Sequence, residues 1–441
     1  QRQRRIEKQK QRGRAPMLSC PKVKLELSDR TNAVNCGGLS VVQQMVTQVG
    51  LAESINRRCP IFKMHLPYTE ADHVFNVAFN IFAGGTCLEH LELRRNDDAY
   101  LGLLDTERIP DPTTAGDFCR RFSADNVNRL MDGINDARVK VWQHQPDSFF
   151  DCAYIEGDGT MIETTGEKKE GIGLNHKKQW GYQTLAITLA NTREELFLLN
   201  RSGNRPSHEG AASYFDKSVE LCRRAGFRKV RLRGDTDFSQ TVHLDRWNDD
   251  GVEFVFGYDA AKNLVKIAEN IDESAWKTLE RKPKSDNKSG KTRARRPNFK
   301  EEFVVEKEYR NQILEDEDVA EFSYRPTKCK QSYRMVVLRK TIRVMEGQTF
   351  LFHEPKYFFY ITNLPKGSMP AKRIVGESNL RCDQVNIFAQ GKAMGALAAP
   401  LHDLVSNWAY MVMAMLAWNL SLIHISEPTR PRLVSRMPSS A

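Results

Sequence analysis

The sequence lacks any paired-cysteine motif. Its nine cysteines, at 20, 36, 59, 87, 119, 152, 222, 329 and 382, form no CxxC pair and no Cys/His cluster with zinc spacing. That excludes a zinc module and a disulfide-stapled scaffold, and the odd, scattered set points to reduced thiols in a cytosolic protein. Long apolar runs are also missing. The longest, Ala409 to Trp418, is about half the length a bilayer-spanning helix needs. It reads as a buried helix, so no membrane partner is expected. The opening residues are Arg-rich with no apolar segment behind them, and no secretory signal is expected. Acidic residues are in deficit: 56 Asp and Glu against 66 Lys and Arg give a net charge of +10. That surplus favours a polyanionic partner such as nucleic acid.

What is present suits a chain with a large core. Of 441 residues, 40% are apolar and 28% charged, which fits two or three folded domains. The two ends stand apart. Gln1 to Arg14 are almost all Gln, Arg and Lys, with no opening Met, and Met17 is the candidate start. Residues 1–16 read as a basic arm, either upstream sequence translated in frame or an arm that grips DNA. At the other end, Leu420-Ser-Leu-Ile-His-Ile-Ser-Glu-Pro-Thr-Arg430 looks like the in-frame translation of a sequencing-library adapter. The helical pattern is expected to stop at Asn419, with residues 420–441 a non-native tail and the natural C-terminus missing.

Between the ends the pattern changes once. Leu39, Val42, Met45, Val46 and Val49 form a helical stripe. Thr69 and Asp72 open a second helix through Phe75, Phe79 and Phe82. Asp111-Pro112 opens a third, and Val127, Leu130, Met131, Ile134 and Val141 mark a fourth. Residues 17–148 therefore read as an all-helical module, either a helix-turn-helix DNA binder or a structural cap. From 149 strands take over: Ala153–Glu163, Trp180–Thr192, Glu195–Asn200, Lys229–Arg233 and Val252–Tyr258, with helices at Glu209–Ala225 and Gln240–Trp247. This order predicts a mixed α/β sheet with helices on its faces. Residues 262–352 break the pattern. Residues 281–300 hold nine Lys or Arg and one acid, a basic loop that either links or contacts DNA. Runs at Glu302–Val305, Tyr324–Val337 and Thr349–Phe352 predict a β-rich insertion. Tyr357–Asn363 reads as a strand, and Val385–Leu397 and Asp403–Asn419 as helices.

Two carboxylates sit at telling places. Asp158 lies between glycines in the first core strand, a poor site for an unpartnered charge. Asp235 follows the fourth strand. Strands one and four are expected to be neighbours, which would bring both acids to one edge. There they either cap turns or clasp two hard divalent cations for phosphoryl transfer, with a third carboxylate from a later helix.

The runs Glu156-Gly-Asp-Gly-Thr160, Trp180-Gly-Tyr182, Leu189-Ala-Asn-Thr192 and Asn200-Arg-Ser-Gly-Asn-Arg-Pro-Ser-His-Glu-Gly-Ala211 carry a resemblance. So do Leu232-Arg-Gly-Asp-Thr-Asp-Phe-Ser239, Tyr360-Ile-Thr-Asn363 and Ser406-Asn-Trp-Ala-Tyr-Met-Val-Met413. From about residue 30 to 419 the chain is similar to DDE transposases of bacterial insertion sequences. The resemblance implies a ribonuclease-H-like core at 149–261 and 353–419, interrupted by the β-rich insertion. It implies cut-and-paste strand transfer with two Mg²⁺ or Mn²⁺ ions, acting on terminal inverted repeats and target DNA. It further implies a homodimer when two ends are synapsed, in the cytoplasm and on the nucleoid when bound to DNA.

The branch with such an insertion carries a Tyr-(2)-Arg-(3)-Glu-(6)-Lys signature. Arg381 and Lys392 match its Arg and Lys, which would grip phosphates; Ser378 stands in the Tyr place and Val385 in that of the catalytic Glu. Asp158 would bridge both metals and Asp235 hold one; Asp237 is a near neighbour, and Glu377 a weak substitute acid. Val cannot coordinate a cation, so this copy is expected to be impaired or inactive, and one base change separates a Glu codon from a Val codon. Two rival readings remain: a catalytically dead DNA-binding remnant, and a structure-specific nuclease that would not need terminal repeats. Trp180, Trp247 and Trp408 are expected in the core rather than on a flipped base, His208-Glu209 as helix caps, and His243 on a helix surface.

Overall fold

The computed structural model describes residues 35–63, 67–166, 168–175, 177–279, 310–346 and 349–426. The basic arm, the loop 281–300, the run 302–305 and the residues beyond 426 lie outside them. The described residues from Cys36 onward form one compact unit.

The N-terminal part is helical: α1 Leu39–Gln48, α2 Leu51–Arg58, α3 Glu70–Phe82, α4 Leu91–Arg95, α5 Asp98–Leu103, α6 Pro112–Arg120 and α7 Ala124–Trp142. Local chemistry sets several starts. Before α3 the Asp72 carboxylate accepts the Thr69 N–H at 2.7 Å, and the Thr69 hydroxyl accepts the Asp72 N–H, a reciprocal cap. Before α6 the Asp111 carboxylate accepts the Thr114 N–H at 2.8 Å, with Pro112 in the first helical position.

The sheet follows as β1 Ala153–Glu163, β2 Gly173–Leu174, β3 Trp180–Leu189, β4 Glu194–Leu199, α8 Ala211–Ala225, β5 Val230–Gly234, α9 Thr241–Asp249 and β6 Glu253–Tyr258. Then come α10 Lys262–Glu269, β7 Lys277–Thr278, β8 Arg310–Tyr324, β9 Tyr333–Glu346, β10 Thr349–Thr362, α11 Ala371–Asn379, α12 Cys382–Ala393 and α13 Leu404–Ser426. The strand order is β2-β3-β1-β5-β6-β10-β9-β8-β7, with β4 also on β3. β1 runs antiparallel to β3 and parallel to β5, β5 runs parallel to β6, and β10 closes antiparallel on β6. This is the expected ribonuclease-H-like mixed sheet flanked by helices, and β1 and β5 are neighbours as anticipated.

Three elements differ from the sequence reading. The runs Thr349–Phe352 and Tyr357–Asn363 are one strand, β10, so the insertion strands extend the core sheet. Pro355 does not break it. Of β10 only Phe359–Thr362 pair with β6, so at Pro355 the strand has β9 alone as neighbour among the described residues, and an edge tolerates a residue without an N–H. Tyr324–Val337 is split by a turn containing Pro326, between β8 and β9. Helix α13 does not stop at Asn419 but continues to Ser426, with Leu420 and Leu422 buried. The sequence offers no breaker there before Pro428, which disfavours helix at the residue preceding it.

One apolar core runs from Leu39 on α1 to Leu420 on α13. Helix α13 packs against α3, α6 and α7 as well as β4. The outer margin of β4 is closed by side chains. Asn135 Nδ2 donates to the Leu196 carbonyl at 3.0 Å, Trp408 Nε1 to the Leu198 carbonyl at 2.6 Å, and Arg138 Nη2 to the Glu195 carbonyl at 2.7 Å. Asn419 accepts the Glu195 N–H at 3.0 Å and donates back to its carbonyl at 3.2 Å.

The sheet face under α8 and α9 is aromatic: Phe215, Phe238, Trp247 and Phe256 meet with ring centroids about 6 Å apart. Gly157 and Gly234 make room for it. A Cβ on Gly157 would lie 2.6 Å from Phe215 Cζ, and one on Gly234 2.5 Å from Phe238 Cβ. Phe215 is fully buried and has no space to retreat. Gly157→Ala is therefore expected to cost about 1–3 kcal/mol through overpacking, read as a lower denaturation midpoint with an unchanged m-value.

Candidate active site

Strand alternation organises the opposite face. Residues two apart point to the same side of a sheet, so Tyr154, Glu156 and Asp158 share one face of β1, and Arg231, Arg233 and Asp235 share it across the β1–β5 boundary. Glu156 is in parallel register with Arg233. Asp158 and Asp235 each stand two residues beyond that pair. They arrive together where β5 ends beside the middle of β1.

A buried chain of ion pairs lies behind them. Arg233 contacts Glu156 at 2.7 Å and Glu377 of α11 at 3.0 Å; Arg231 contacts Glu253 at 2.6 Å and Glu377 at 3.8 Å. The Tyr154 ring lies under both guanidiniums, 4.8 Å from Arg233 and 5.3 Å from Arg231. Glu377, the sequence candidate for a substitute acid, is thus held by two arginines and is not among the groups acting on the aspartates.

The electrostatics of the pair are adverse. Burial pushes the Asp158 carboxyl from its ordinary 3.8 up to about 6, and the Asp235 and Asp237 charges add to the rise. The Gly159 N–H donated to Asp158 at 2.7 Å and the Arg381 charge oppose it without cancelling it. Asp235 is raised too, by burial first and by Asp237, while Arg381 lowers it. Its carboxylate accepts the Asp237 N–H at 3.0 Å, so it also caps the short turn that follows β5.

Helix α12 is pinned by Gln384, whose Nε2 donates to the Glu156 carbonyl at 3.1 Å and to Thr188 Oγ1 at 3.0 Å. The next residue, Val385, is 61% exposed. Arg381 sits one helical turn before Val385, the spacing that puts two side chains on one helix face. Its charge reaches both aspartates, and its Nη1 is buried with no hydrogen-bond partner among the described residues. Lys392 is placed elsewhere, near Glu163 further along β1; desolvation holds its ammonium below the usual range against the pull of Glu163. The structure therefore brings Asp158, Asp235 and Arg381 together, with Asp237 beside them and the exposed Val385 one turn along α12, and leaves Lys392 apart.

Several expectations are corrected. Trp180 is 51% exposed, so it is not a core residue; Trp247 and Trp408 are buried. Trp180 begins β3, paired with Leu174 of the two-residue β2 and accepting the Thr164 N–H at 3.0 Å, and half of its surface stays open. His208 and Glu209 cap nothing, because α8 starts after Gly210 at φ +80° without a side-chain cap. Sequence reasoning missed the role of Arg201 in the Asn200–Ala211 motif. Its buried guanidinium donates to the carbonyls of Gln183, Pro206, Ser207 and Glu209, fixing that loop beside Gly159. It also missed the ion-pair chain, although the i, i+2 spacing of Glu156/Asp158 and Arg233/Asp235 carried the signal.

A family model described as transposase DDE domain group 1 matches residues 17–425. No curated protein matches the chain. A solved structure, the cryo-EM structure of the piggyBac transposase synaptic complex with hairpin DNA, is similar at 10% identity and a TM-score of 0.34. That match covers 90% of this chain and 82% of that one.

Asp158 carries a pH signature. Between about pH 4 and about pH 6 the folded protein keeps a proton on Asp158 that the unfolded chain releases. Stability therefore falls as pH rises through that window, and the penalty is complete above it. Asp158→Asn keeps an acceptor for the Gly159 N–H and removes the charge. Thermal melts should find it more stable than the parent at pH 7, with the difference vanishing below pH 4.

Proposed function

The chain belongs to the transposase DDE domain group 1 family, and on that premise we propose that its reaction is DNA cleavage and strand transfer at the ends of an insertion sequence. Asp158 and Asp235 are the metal-holding carboxylates of this reading, and Arg381 and Lys392 its phosphate contacts. The observation that carries it is the convergence of two buried, mutually repelling aspartates beside an arginine with a spare donor. We read the protein as working in the cytoplasm on nucleoid DNA, on terminal inverted repeats and target, as a homodimer when two ends are joined.

Membership of the family implies use of a divalent metal. The donors fit a hard cation such as Mg²⁺ or Mn²⁺: two carboxylate oxygens whose mutual penalty positive charge relieves. Among the described residues no group of three His, Cys, Asp or Glu is placed to hold a metal ion, and Val385 adds no donor. When bound, such an ion supplies a nucleophile at neutral pH and neutralises charge on the scissile phosphate. The protein's own groups do the rest. Arg381 would give its unpartnered Nη1 to a phosphate oxygen, a charge-assisted bond that orients the strand. Lys392 would hold the backbone further along β1 as a point charge. Asp158 would lose its proton as the cation enters, so cation binding weakens below about pH 6.

A second reading, a DNA-binding remnant without turnover, is favoured by Val385, whose hydrocarbon side chain cannot hold a cation. One experiment separates them: the parent and Val385→Glu, each with Mn²⁺ and DNA carrying the element's ends. A carboxylate one turn after Arg381 should raise cleavage by orders of magnitude over the parent. End-specific binding in both should weaken steeply with salt. Binding without cleavage in Val385→Glu would show that the site is wrongly placed.

A further inference from the structure

Away from the sheet, the helical part encloses a cavity of about 430 Å³ between α1, α3, α5 and the 104–110 turn. Its floor is aromatic. Phe75 and Phe79 stack with centroids 5.4 Å apart, and both line it together with Tyr100 and Tyr68.

Three side-chain oxygens lining it are buried with no hydrogen-bond partner among the described residues: Gln43 Oε1, Asn76 Oδ1 and the Tyr100 hydroxyl. Asn76 and Tyr100 are respectively 5% and 1% exposed. Asn76 already uses its amide nitrogen, donating to the Pro110 carbonyl at 2.9 Å, so the amide is not simply reversed. A buried acceptor without a donor costs roughly 1–3 kcal/mol, and three around one space describe a place built for donors.

The rim adds charge of the opposite sign to the chain as a whole. Asp72, Asp105 and Glu107 line the opening against one basic residue, Arg108, in a protein of net charge +10. Asp72 spends one oxygen on its helix cap, at 2.7 Å from the Thr69 N–H; Asp105 and Glu107 are exposed. Acceptors within, carboxylates at the mouth and aromatic faces around are the elements that hold an organic cation. A phosphate-bearing ligand would be repelled.

We propose that this cavity binds a small organic cation with N–H donors, of the guanidinium or alkylammonium class. Its volume admits a whole amine of amino-acid size, larger than a metal ion needs. The head group would donate to Asn76, Gln43 and Tyr100, with its charge balanced by Asp105 and Glu107.

The test uses the full chain and agmatine as probe, in calorimetric titrations alongside AMP. Agmatine should bind and AMP should not. The double variant Asp105→Asn/Glu107→Gln, on the exposed rim, should bind agmatine about tenfold more weakly. Tyr100→Phe loses a hydroxyl that has no hydrogen-bond partner among the described residues, so its melting temperature should hold while affinity for agmatine falls. Absence of agmatine binding by a parent that melts cooperatively overturns the proposal. Equal affinity in the rim variant, or tighter binding of AMP, does the same.

Discussion

Arg233 holds two buried carboxylates at once, and much of the molecule is arranged around that contact. Glu156 of β1 and Glu377 of α11 meet on its guanidinium, and Arg231 ties Glu377 onward to Glu253 of β6. Charges withdrawn from water must be paired, and deleting one member of such a pair typically costs about 3–5 kcal/mol. A parallel strand slipped by one residue would send its side chains to the opposite face and strand these charges. The network thus works against every register but the observed one, and that register delivers Asp158 and Asp235 to the same place.

The same arrangement explains why the acids are uncomfortable. Aromatic rings pack under Gly157 and Gly234, directly before each aspartate. Desolvation and like charge then raise both carboxyls, with Arg381 as partial relief. Stability has been exchanged for a concentrated negative potential, which suits a group meant to meet a cation. Val385 interrupts the pattern on the helix that closes the site: it presents a hydrocarbon where Arg381, one turn earlier, has a donor to spare.

Elements governed by local rules were legible in the sequence. The Thr69/Asp72 cap, the Asp111-Pro112 start and the Ala153–Glu163 strand each rest on neighbours within a few residues, and each stands where it was read. The pairing of β1 with β5 followed from the order of elements, and with it the meeting of Asp158 and Asp235. What escaped depends on distant partners. Glu377 looked like a spare acid because its arginines are far away in sequence. Trp180 looked like core because composition cannot tell a strand's covered end from its open one. Gln384 is a polar residue in a helix until the Glu156 carbonyl is seen above it. The join of the insertion to the core through β10 was hidden by Pro355, whose tolerance rests on which neighbours stop short.

The outermost core strand, β4, ends the sheet with few bare peptide groups. Amide, indole and guanidinium side chains from α7 and α13 occupy carbonyls and an N–H that would otherwise point outward. A margin finished in this way offers little template for strand addition by a second molecule. The terminal helix is therefore also a guard against self-association. If Asn419 were lost or α13 frayed back past it, the first symptom would be sticking between copies, well before any loss of the buried core.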